Sequence, residues 1–116
     1  MAKTRSDAVA AILRKLYVLS GSETPSAEDS ANLLTVFDAR TDYLRDDELA
    51  HWPAEEIPNA VFDPLCEYML FYVAPVFIPD MAEEQRWAMR SQNGLSEMRR
   101  VLAKRSEGAP VRADYF

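Results

Sequence analysis

The sequence predicts an all-α protein, a four-helix bundle over residues 1–105 followed by an extended C-terminal arm over 106–116. Three observations carry that expectation. Apolar residues return at three- and four-residue spacing in successive segments, as one face of a helix requires. Serine, threonine, aspartate and proline stand where those segments would begin. Stretches containing proline, glycine and serine interrupt the pattern between segments, and no stretch reads as a strand.

The first helix is expected over residues 5–18. Thr4 and Asp7 have the spacing of a capping box, and Val9, Ile12, Leu13 and Leu16 repeat on one face. Residues 20–25, Ser-Gly-Ser-Glu-Thr-Pro, form a loop by composition, after which Ser26 and Asp29 repeat the capping spacing. In the second helix Leu34, Phe37, Thr41 and Leu44 share a face flanked by Leu33 and Tyr43, ahead of the acidic cluster Asp46, Asp47 and Glu48. Pro53 and Pro58 exclude regular structure from the next connection, and Trp52 is expected to pin that connection to the core.

The third helix has two possible starts. Asn59 is one; Asp63 followed by Pro64 is the stronger signal, since aspartate suits the cap and proline the first helical position. It is expected to end by Pro75. Leu65, Tyr68, Met69, Leu70, Phe71, Tyr72 and Val73 leave Glu67 as its only charge, so it is apolar nearly all round and should be central. The fourth helix is expected from Pro79 and Asp80 to about Lys104, with Glu83 and Glu84 suiting the dipole of its first turn. Met81, Ala88, Leu95, Met98 and Leu102 give it heptad-like spacing. Gly94 costs it about 1 kcal/mol relative to alanine and marks a bend or a close contact. Gly108 and Pro110 end it, leaving the arm.

At 116 residues the chain suits one domain, burying about 65% of its unfolded surface. Its 48% hydrophobic and 28% charged residues are the balance of a folded globular protein. The single cysteine, Cys66, lies in an apolar run, which excludes an intramolecular disulfide and marks a core thiol. Arg14 and Lys15 interrupt any signal-peptide core, and the most apolar run, 68–78, is short of the ~20 residues that span a bilayer. A soluble protein with no membrane partner is expected.

Charge is unevenly distributed. Residues 20–85 hold 15 acids and only two bases, Arg40 and Arg45, a net of -13; residues 86–112 hold seven bases and two acids, a net of +5. One reading is two differently solvated faces, and the other is complementary surfaces that meet between copies. Under the second, Arg99, Arg100, Lys104 and Arg105 would carry the inter-subunit charge.

The residues hold little catalytic chemistry. His51 is the only histidine and reads as a loop residue beside Trp52. The acidic pairs Asp46 and Asp47, and Glu55 and Glu56, lack the glycine-marked loop of a calcium site. No two of the three glycines are neighbours, so no phosphate loop is present. No enzymatic activity, cofactor or metal is expected. A pI of about 4.7 opposes DNA binding, and the basic end of the fourth helix also suits its own dipole.

Several strings are together similar to one family. AVAAILRKL at 8–16, the loop closing in Pro25 and Ser26, the second-helix pattern through Leu44 and Trp52, VFDPL at 61–65, Ala74 with Pro75, and the ending VRADYF resemble tailed-bacteriophage head-to-tail adaptors. The nearest resemblance is to the tail accessory, or packaged-DNA stabilisation, proteins of short-tailed phages, over almost the whole chain. The chain departs from them in having no glycine near Tyr17 and no longer C-terminal extension.

The resemblance implies a dodecameric ring under the portal protein, located at the virion neck and assembled in the host cytoplasm. The ring would extend the channel through which DNA passes without sequence-specific contact, retain packaged DNA and seat the next tail or nozzle protein. The arm residues Val111, Arg112, Tyr115 and Phe116 would bind portal or the adjacent subunit. A helical protein-interaction module without enzymatic activity is the alternative, and a small lytic or nucleic-acid-modifying enzyme a weaker third.

Overall fold

The first helix begins as the capping pattern requires. In the computed structural model the Thr4 hydroxyl accepts the Asp7 N–H at 3.2 Å and the Asp7 carboxylate accepts the Thr4 N–H at 3.0 Å. The structure describes residues 2–16, 23–53, 55–78 and 83–107, with side chains to 103. It is all-α, with α1 at Arg5–Lys15, α2 at Ala27–Asp46, α3 at Asn59–Phe77 and α4 at Glu84–Glu107. Residues 17 and 18, expected in α1, and the arm residues 108–116 lie outside the described residues.

Ser26 caps α2 through its hydroxyl, which accepts the Asp29 N–H at 3.1 Å. The buried stripe is Leu33, Phe37, Thr41 and Leu44, so Leu33 takes the place expected for Leu34, which is only half-buried. Thr41 is buried because its hydroxyl donates to the Phe37 carbonyl at 2.8 Å. The helix closes on a Schellman turn: the Leu49 N–H reaches the Leu44 carbonyl at 2.8 Å and the Glu48 N–H the Arg45 carbonyl at 2.9 Å. Glu48 occupies the left-handed position of that turn, at φ 61.

Trp52 is buried, as its place in the connection predicts. Ile57 is buried beside it and exchanges backbone hydrogen bonds with Lys3 at 2.8 and 2.9 Å. That single antiparallel bridge ties the segment before α1 to the connection between Pro53 and Pro58.

Helix α3 departs from expectation at both ends. It starts at Asn59 with Pro58 as its cap residue, so Pro64 lies inside it, and it runs through Pro75 to Phe77. Each proline removes only one ladder bond, from the Ala60 and Phe71 carbonyls, and both lie within two turns of an end. The stretch between them is buried at Leu65, Cys66, Tyr68, Met69, Leu70, Val73 and Ala74, which offsets those losses. By length and composition alone the 19-residue α3 could cross a bilayer. In this fold α1, α2 and α4 all pack against it, and 44% of its apolar window is buried.

The buried face of α4 is Trp87, Ser91, Gly94 and Met98, with Val101 at its edge. The expected heptad is thus displaced: Ala88, Leu95 and Leu102 are only half-buried, and Met81 lies outside the described residues. Small residues set this face because α4 lies very close to α3. The Ser91 hydroxyl donates to the Tyr68 carbonyl at 2.6 Å, and a Cβ on Gly94 would stand 2.7 Å from the Pro64 carbonyl oxygen. Gly94 is therefore a close contact. Helix α4 also continues through Ser106 and Glu107, two residues assigned by sequence to the arm. Among the described residues it packs only on α3, while α1 and α2 pack on α3 and on each other.

Candidate interaction surface

The outer face of α4 presents Arg99 and Arg100 side by side, with 58% and 60% of their side chains exposed. Arg100 pairs with Glu97 one turn earlier, and Arg99 reaches Asp47 at 3.9 Å. The backbone of Lys104 and Arg105 continues this helix, but their side chains lie outside the described residues, as do Val111, Arg112, Tyr115 and Phe116.

Part of the acidic span is balanced within the chain. Arg5 reaches Asp38 at 2.5 Å and Glu55 at 3.1 Å, which joins α1 to α2 and to the connection. At the centre Glu67 accepts Arg90 through two hydrogen bonds of 2.9 and 2.7 Å and Lys15 at 2.7 Å. Burial by itself would raise the Glu67 carboxyl, but its hydrogen bonds from Arg90 and Lys15 and their charges hold it below the ordinary carboxylate value. The node ties α1 and α4 to α3. No ion pair engages Asp46, Glu48 or Glu56 among the described residues.

Arg40, from the middle of α2, is different. Its guanidinium lies 4.0 Å from the Tyr72 ring centroid, 4.4 Å from that of Tyr43 and 5.6 Å from that of Tyr68. One Nη donates to the Tyr68 hydroxyl at 2.5 Å, and the buried Nε has no hydrogen-bond partner among the described residues. No carboxylate pairs with it among the described residues. Burial opposes its charge, yet the hydrogen bond to Tyr68 and the surrounding tyrosines raise its pKa above the ordinary arginine value. Tyr72 continues the aromatic surface to Tyr68 and Phe71, at 5.3 Å each, and Tyr43 at the rim is 54% exposed. Sequence alone could not show this cluster: Tyr68 and Tyr72 are legible as one face of α3, but not their position against Arg40.

A cleft of about 310 Å³ lies between α2 and the connection, lined by Arg5, Phe37, Asp38, Thr41, Asp42, Arg45 and Trp52. Its charges answer one another: Arg5 is held by Asp38, and Arg45 by Asp42 at 3.4 Å and the Trp52 carbonyl at 3.0 Å. Cys66 is fully buried and burial pushes its thiol up to about 12, which removes it as a nucleophile. His51 is exposed and meets Trp52 edge to face at 5.3 Å. Among the described residues no three or more His, Cys, Asp or Glu side chains gather as metal ligands.

Compared with known proteins, the chain matches no family model, no curated protein and no solved structure.

Proposed function

We propose that this chain is a head-to-tail adaptor subunit of a tailed phage, forming a ring under the portal protein that extends the DNA channel and seats the next tail component. The observation that carries this reading is the division of charge over the surface. Arg99 and Arg100 stand exposed on α4, while in the acid-rich remainder Asp46, Glu48 and Glu56 make no ion pair among the described residues. Such surfaces suit repeated contact between identical copies, because each copy carries both signs. The strings at 8–16, 61–65 and 111–116 support the same reading, and so does the all-α fold.

A ring around DNA has to let it slide. An acidic wall repels phosphates at short range, in keeping with a net charge of -6 and without sequence-specific contact. The subunit works by shape and charge, without catalysis, cofactor or metal.

The test is co-assembly with a tailed-phage portal protein. Alone, the chain should scatter light as a monomer or a weakly associated species, and on portal it should form rings visible by electron microscopy. Deleting 109–116 should leave helicity and melting unchanged, since α4 ends at Glu107, yet abolish rings. A stable dimer that ignores portal would instead support a helical protein-interaction module.

A further inference from the structure

We propose that Arg40, held among Tyr43, Tyr68 and Tyr72, is a carboxylate-docking site for a second copy of this chain, whose acid-rich span supplies the carboxylate. The contact deepens the ring reading and rests on it for its setting.

Among the described residues Arg40 is a cation without a carboxylate partner, in an acidic region. Its helical neighbours at three and four residues are Val36, Phe37, Tyr43 and Leu44, none of them acidic. The nearest acids along α2 are occupied: Asp38 holds Arg5, and Asp42 pairs with Arg45. Among the described residues no carboxylate of the same chain pairs with Arg40, and its buried Nε has no hydrogen-bond partner. The charge is held by aromatic faces and the Tyr68 hydroxyl, and an incoming carboxylate would be bound more strongly here than by a lysine in open water.

The surroundings suit a protein contact. Three tyrosine rings surround the guanidinium, which limits the conformational entropy left to be lost on binding. Tyrosine and arginine are the residues most enriched where binding energy concentrates in interfaces, and Tyr43 offers an exposed aromatic rim.

Charge complementarity names the occupant. Residues 20–85 of any second copy bring 15 acids, of which Asp46, Glu48 and Glu56 make no ion pair among the described residues. Two copies also carry like net charge, but that repulsion is screened beyond about 8 Å at physiological salt, whereas the docking contact is direct.

The experiment converts the cage into a cross-linking probe. Arg40→Lys places a primary amine among the same rings, and a water-soluble carbodiimide joins an amine to a touching carboxylate, forming an amide while the carbodiimide becomes a urea. Folded protein, checked by circular dichroism, is mixed as equal ¹⁴N- and ¹⁵N-labelled copies at about 1 mM, where a contact of millimolar affinity is substantially populated. The intrachain Lys15 to Glu67 pair at 2.7 Å is the internal positive control.

The expected result is mixed-isotope peptides linking position 40 to acids within 20–85. If the Lys15 to Glu67 link forms and no mixed-isotope link from position 40 appears, or the introduced amine joins only its own chain, the proposal is overturned. Should Arg40→Lys fail to fold, diffusion replaces cross-linking: wild type should slow with concentration and Tyr43→Ser should not, and equal behaviour overturns the site. Binding of a labelled oligonucleotide that Arg40→Gln abolishes would assign the cage to phosphate and also overturn it. Portal binding is measured separately. Portal binding without position-40 links removes the docking site alone; links without portal binding remove the adaptor reading alone.

Discussion

Gly94 and Pro64 face one another so closely that a Cβ on the glycine would stand 2.7 Å from the proline's carbonyl oxygen. The same Cβ would lie 2.7 Å from the Tyr68 nitrogen and 2.8 Å from the Glu67 Cβ. Two of these three atoms are backbone and cannot rotate away. Gly94→Ala should therefore destabilise the protein, although alanine gains about 1 kcal/mol in helix propensity. Forcing α3 and α4 apart should cost about 1–3 kcal/mol, read as a lower urea midpoint. An increase in stability would show that the helices do not meet there.

The two N-terminal caps and the burial of Trp52 were legible because each follows from local chemistry: a hydroxyl three residues before an amide, or a large aromatic between prolines. The α4 face was not. Apolar periodicity is blind to Ser91 and Gly94, which lie at the contact because they are small. The α3 ends differ from the sequence expectation for a related reason. Pro64 and Pro75 signal boundaries locally, but burial of the helix between them outweighs two lost backbone bonds. Leu33 and Leu34 both fit α2's spacing, and only the packing of the helix chooses between them. The Arg40 cage depends on α2 meeting α3, a long-range relationship without a signature in one sequence.

Glu48 offers a stabilising substitution. Its φ of 61 at the end of α2 is a conformation that disfavours side chains by about 1–2 kcal/mol and that glycine adopts freely. Glycine also makes the unfolded chain more flexible, which returns about 0.4–1 kcal/mol. Glu48→Gly should thus raise stability by up to about 1 kcal/mol, whereas Glu48→Val should lower it. A thermal melt of the pair checks the sign of each.

The Glu67 node predicts an acid-side loss of stability. The folded carboxyl sits below its ordinary value of 4.5, so its contribution is present at neutral pH and lost as pH falls below about that value. For Lys15, burial opposes the charge but Asp63 and Glu67 more than compensate, so its part persists until pH rises above 10.5. Glu67→Gln should cost about 1.5–3 kcal/mol at pH 7 by removing charge-assisted bonds to Lys15 and Arg90. The variant's melting temperature should also fall less steeply between about pH 5 and 3 than that of wild type. Parallel curves would mean that Glu67 does not titrate as described.

Cys66 should report unfolding. Its thiol is fully buried and raised to about 12, so at pH 8 neither access nor thiolate is available in the folded protein. Alkylation by iodoacetamide, followed by mass spectrometry, should be negligible in buffer and rise through the urea transition with helix loss. Rapid labelling of the folded protein would place Cys66 at an opening in α3.

The exposed arginines of α4 separate a contact between copies from a contact within one. The Arg99 to Asp47 approach is long, at 3.9 Å, and both side chains are more than half exposed. Exposed pairs are worth about 0–1 kcal/mol, so losing this one should hardly change folding. Reversing both charges, Arg99→Glu with Arg100→Glu, should leave the melting temperature within a few degrees of wild type. Contacts between copies would respond differently, because each subunit in a closed ring repeats the reversed pair at its boundary. Ring formation on portal should be lost in the double variant. In wild type it should weaken with added sodium chloride as the screening length shortens from about 8 Å at physiological salt to about 3 Å at 1 M. Rings that survive both the charge reversal and 1 M salt would show that these arginines only solvate the outer face of α4.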